Sequence, residues 1–144
     1  MILNELIKET QKNQMISTLL KYYKVESVKM KYKSMKDHAY FNVETGTMEL
    51  STRYKKLKDS QVKDFLITMI HEIRHAMDSK KYGWKKFKET YEMEIAKWQA
   101  EHPKDVDGWM RNKREAISYE KEAEDFGQKN WKQWYNKFKK QNLI

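Results

Sequence analysis

The sequence predicts a single α+β domain spanning residues 1–144, with an N-terminal helix, a small, mainly antiparallel sheet, and helices for the remainder. Three observations support this. Apolar residues recur at helical spacing near the start and through the second half of the chain. Short alternating segments around a glycine lie between those regions. With only four glycines and one proline among 144 residues, no glycine- or proline-rich tract divides the chain, which is long enough to bury one core of its own.

The first helix is expected over about residues 3–23, with Leu3, Leu6, Ile7, Ile16, Leu19, Leu20 and Tyr23 as its buried stripe. Val28, Met30 and Tyr32 then alternate with lysines, a pattern suited to an exposed edge or face of a sheet. Residues 40–43 and 48–51 are expected to pair across a turn containing Gly46, and one of these two strands should be outermost. Asp59 and Ser60 are good helix starters. They precede Val62, Phe65, Leu66, Met69, Ile70, Ile73, Ala76 and Met77, which fill one arc of a helical wheel. Gly83 interrupts the pattern, and a third helix carrying Trp84, Phe87, Tyr91, Ile95 and Trp98 runs to Pro103. Residues 103–108 read as a loop, and a long C-terminal helix is expected from about Asn112.

Within the second helix stands His71-Glu72-Ile73-Arg74-His75, an HExxH pattern. Histidines four positions apart lie about one turn apart on the same face, so both imidazoles can reach one metal ion. Glu72 sits roughly 100° round the helix, off the metal yet near a water in the open coordination position, where it can act as general base. Both histidines fall opposite the apolar arc, so one face is anchored while the other presents ligands.

A zinc site built on two histidines needs a third protein ligand. The HExxHxxGxxH pattern requires Gly at position 78 and His at position 81, where this chain has Asp78 and Lys81. No cysteine is available, and neither His38 nor His102 has a matching local pattern. The run from Glu120 to Gly127, EKEAEDFG, resembles instead the ExxA(D/N)xFA signature on the glutamate helix of gluzincins. The chain is thus similar to the small members of the group that includes thermolysin, the CAAX-processing zinc proteases and the ImmA/IrrE-type peptidases. That resemblance implies a minimal zincin-like fold and a zinc-dependent endopeptidase acting on a protein or peptide. His71 and His75 would match the histidine ligands, Glu72 the general base and Glu120 the glutamate ligand. Glu124 would match the acidic residue that hydrogen-bonds a ligand histidine, although Asp or Asn is usual there and Ala is usual at Gly127.

The register of this helix agrees. Ala116, Glu120, Ala123 and Gly127 share a face whose small side chains would let it approach the histidine helix closely. Glu122, nearer the Ser118 and Phe126 side, is the rival ligand. An oxyanion donor is also expected, and Tyr119, Tyr91 and His102 are the candidates. An extended substrate would lie along the sheet edge.

The net charge is +9, and the last 17 residues carry lysines without acids, interleaved with Trp131, Trp134, Tyr135 and Phe138. Such a surface would suit nucleic acid or an acidic protein, and a non-catalytic binding module is the alternative function. The aromatic spacing of i, i+3, i+4 and i+7 is also that of a core stripe. The charged N-terminal segment is unlike a signal peptide or a membrane span, so a soluble, cytoplasmic protein is expected. Closure of the cleft by the tail from Trp131 onward is a further expectation.

Overall fold

A computed structural model describes residues 6–144. Helix α1 (Glu9–Tyr22) is followed by strands β1 (Lys29–Lys33), β2 (Ala39–Asn42) and β3 (Thr47–Ser51), then by helices α2 (Val62–Tyr82), α3 (Trp84–Glu101), α4 (Lys113–Ala116) and α5 (Ser118–Lys140). The α+β class is as expected. Among the described residues no helix is long and apolar enough to cross a membrane.

Helix α1 begins later than its periodicity suggests. Leu6 bridges Lys58, and the Ile7 amide donates to the Leu57 carbonyl at 2.7 Å, so the chain enters extended. The Gln11 side chain then accepts from the Lys8 amide and starts the helix. Leu3 lies outside the described residues.

The sheet order is β1-β3-β2, with β3 antiparallel to β2 but parallel to β1. This corrects the expectation of a mainly antiparallel sheet. The reason is burial: Met48, Glu49, Leu50 and Ser51 of β3 are all buried, so β3 belongs in the centre, whereas β1 exposes alternate lysines and can only be an edge. Glu49 tolerates that position because Lys31 and Lys33 lie 3.8 and 3.9 Å from its carboxylate. The hairpin forms as expected, with Gly46 at φ 68°, and it is the partner strand β2, rather than β3, that occupies the edge near the site.

The main core surrounds α2. Phe65, Leu66, Met69, Ile70 and Ile73 are fully buried against α1, the sheet and α5. Truncating any one to Ala should cost about 2–5 kcal/mol. Trp134 and Phe138 are buried in the same core, and Trp131 and Tyr135 pack at its margin. The C-terminal aromatics are therefore a packing stripe with lysines outside it. A second, smaller core joins Phe87, Ile117 and Tyr119. The expected continuous C-terminal helix breaks at Ile117, whose backbone is extended, and the buried Ile117 side chain explains the turn.

Candidate metal centre

Helix α2 places the two histidines in its middle, where backbone hydrogen bonds on both sides hold their spacing. The helix is more deeply enclosed than a two-faced wheel suggests: Glu72, His75 and Asp78 are buried along with the apolar arc. Helix α5 packs along this helix, and Phe87 of α3 lies against the His75 ring. Gly127 permits the close approach, because a Cβ there would stand 3.0 Å from the carbonyl oxygen of Ile67 on α2.

That contact brings Glu120 onto the histidine pair. His71 Nε2 lies 3.2 Å from Glu120 Oε2 across 49 positions of sequence, and His75 Nε2 lies 3.0 Å from Oε1. Both nitrogens thus converge on one carboxylate, itself largely buried. Donors held about 2.1 Å from one tetrahedral ion lie about 3.4 Å from each other, close to the separations here. Two imidazoles and a carboxylate that leave a position open are also a chemically suitable donor set. A second trio, His71, Glu72 and His75, has its ligand atoms within 4.8 Å of one another. Glu72 belongs to this second trio and is buried beside the first.

The electrostatics fit shared protons or a shared cation. Burial alone would raise the Glu120 carboxyl, but hydrogen bonds from His71 and His75 bring it far below the usual carboxylate range. Burial alone would lower His75, but the Glu120 hydrogen bond and the carboxylates of Glu72 and Glu120 raise it overall. Burial pushes Glu72 upward, against the pull of both histidines. His75 Nδ1 is buried and has no hydrogen-bond partner among the described residues.

A cleft of about 760 Å³ opens over this centre. Edge strand β2 and α2 form one bank, and Phe87, Lys88 and Tyr91 of α3, with Trp109 and Lys113, form the other. Lys88 reaches across the mouth to Glu44 at 2.5 Å. Lys113 makes no ion pair among the described residues, and its charge acts on Glu72. Nothing in the local pattern around Lys113 or Trp109 marks them in the sequence, because Trp109 enters the cleft from the turn before α4 and Lys113 from the first residue of that short helix. His38, set aside on sequence grounds, also lines it and bonds the buried Tyr54 hydroxyl through Nδ1 at 2.5 Å.

Several expected residues lie elsewhere. Glu124 is half-exposed and bonds neither histidine, because its carboxylate lies 3.8 Å from the Arg114 guanidinium instead. Glu122, the rival ligand, faces outward 3.6 Å from Arg74. Tyr119 stacks on Phe87 at 4.3 Å in the second core, and exposed His102 stacks on Trp98 at 3.7 Å, so neither reaches the cleft as an oxyanion donor. Tyr91 does reach it, but its hydroxyl donates to Glu120 Oε1 at 3.0 Å. The aromatic tail from Trp131 does not line the cleft. No protein-family model, curated protein or solved structure matches this chain.

Proposed function

We propose that the protein is a zinc-dependent endopeptidase with a minimal zincin-like domain. The observation that carries this reading is the convergence of His71 Nε2, His75 Nε2 and both Glu120 oxygens, with Glu72 buried beside them in an open cleft. His71, His75 and Glu120 would hold the ion. Zinc, when bound, supplies polarisation of the scissile carbonyl and acidification of the attacking water.

Glu72 accepts the proton of that water and returns it to the leaving nitrogen. Burial raises its proton affinity, which suits a group that must take a proton and give it back. Lys113 is the cation placed to oppose negative charge developing beside Glu72. The exposed edge of β2 offers backbone groups to an extended peptide lying along the cleft. The alternative of a basic module for nucleic acid or an acidic protein gains no support from the C-terminal aromatics, since Trp134 and Phe138 are buried.

Elemental analysis of the purified protein tests the centre, and digestion of unfolded casein tests the activity. Near-stoichiometric zinc, lost in Glu120→Ala and kept in Glu72→Gln, is expected, with casein cleavage absent from the first variant and reduced about 10²–10⁴-fold in the second. A wild-type protein that takes up no zinc after reconstitution would overturn the reading.

A further inference from the structure

Tyr91 is the one side chain outside α2 and α5 seen to hydrogen-bond a member of the Glu120 trio among the described residues. Its hydroxyl donates to Oε1, the same oxygen that faces His75 Nε2. It has no other hydrogen-bond partner among the described residues.

Tyr91 belongs to α3, a helix with a light hold on the rest of the molecule. Phe87 is its only buried residue, and most of the helix is half-buried or exposed. It follows α2 with Gly83 alone between them, at φ 83° and ψ 144°, a conformation that L side chains rarely adopt. Its tie to the far bank is the surface pair Lys88–Glu44, and its ties to α5 are the stacking of Phe87 on Tyr119 and Glu94, which bonds the Ser118 amide and hydroxyl. Exposed ion pairs contribute little. The Tyr91 bond, by contrast, is formed inside the cleft, against the carboxylate itself.

We propose that Tyr91 couples the metal centre to α3: its hydroxyl positions the Glu120 carboxylate for the ion, and a bound ion in turn secures α3 over the cleft. The inference rests on the metal-site reading above. Fixing Glu120 by an outer hydrogen bond leaves less freedom to lose on binding, and removing such partners typically weakens metal affinity about 10–100-fold. Coupling is reciprocal, so whatever α3 contributes to zinc affinity, zinc returns to the docking of α3. Tyr91 is a positioning residue in this scheme, acting through Glu120.

The test uses zinc alone as ligand. Affinity is measured by competition with a chromophoric chelator for the wild type and for Tyr91→Phe, which keeps the ring packed on Phe87. Amide exchange over residues 84–101 is followed with and without zinc, and thermal unfolding of both metal-free proteins monitors folding. A roughly 10–100-fold loss of affinity in a folded Tyr91→Phe variant is expected. So is zinc-dependent slowing of exchange in α3 of the wild type that is reduced in the variant. Affinities within twofold of each other, or α3 exchange in the wild type indifferent to zinc, would overturn the coupling while leaving the metal site intact. Failure of the wild type to bind zinc would overturn the metal-site reading itself, and this inference with it.

Discussion

Gly127 of α5 lies against the backbone of Ile67 on α2, with room for a Cβ only 3.0 Å from the Ile67 carbonyl oxygen. The obstacle is helix backbone rather than a pliant side chain, so any larger residue must push the two helices apart. Glu120 and Gly127 share α5, and widening that contact moves the carboxylate away from both histidines.

Gly127→Val is therefore expected to destabilise the protein by about 1–3 kcal/mol through overpacking and to weaken zinc binding. Gly127→Ala should be milder, because Ala recovers about 1 kcal/mol of helix propensity against the same collision. Chemical unfolding and chelator competition on both variants check the order, and a Val variant with unchanged zinc affinity would refute the geometric link.

Glu72→Gln separates the metal from the chemistry. Casein cleavage should fall about 10²–10⁴-fold, the usual contribution of a positioned general base. The buried carboxyl of Glu72 is shifted upward, so its contribution to stability is lost as pH rises through its folded value. The metal-free Gln variant should accordingly melt at or above the wild type near pH 7. A lower melting temperature would show that the ionised carboxylate stabilises the fold.

The pH dependence of the metal-free protein has two flanks. Glu120 is held below its free value of 4.5, so its stabilisation is present above that pH and is lost as pH falls. His75 is held above its free value of 6.5, so its stabilisation is complete below that pH and is lost as pH rises through the elevated value. Calorimetry should find greatest stability between these flanks. Zinc must displace the His75 proton, so its affinity should rise about tenfold per pH unit until that proton is gone. A flat affinity profile from pH 6 to 8 would count against a protonated His75.

Glu122→Ala and Glu124→Ala should leave zinc content unchanged and alter stability by less than about 0.5 kcal/mol, as surface changes usually do. Both side chains are half-exposed and pair with surface arginines. Zinc lost on changing Glu122 would reassign the third ligand, and elemental analysis decides it.

The pairing of His71 with His75 was legible in the sequence because helical geometry fixes which residues share a face, whereas Glu120 was reached through the resemblance of its run to a known signature, with the helix register in agreement. The small face of Ala123 and Gly127 was legible from helical geometry too. Glu124 misled because a signature transfers spacing without the partner it expects: its acid points to Arg114 here. The sheet was half legible. Gly46 announced the β2–β3 hairpin, but the parallel pairing of β1 with β3 depends on which strand is buried on both faces, a property of the assembled core. Lys113 enters the cleft from the start of the four-residue α4, Trp109 from the turn before it and His38 from the approach to β2, and no periodicity encodes such directions.

The 49 positions between His71 and Glu120 also set a clock during synthesis. At about 5–20 residues per second, both histidines and Glu72 leave the ribosome roughly 2–10 s before the carboxylate that completes the trio. A nascent chain in that interval can offer a metal only an incomplete ligand set. The docking of α5 on α2 thus both buries Trp134 and Phe138 and assembles the centre, so the activity proposed here should arise only as the fold is completed.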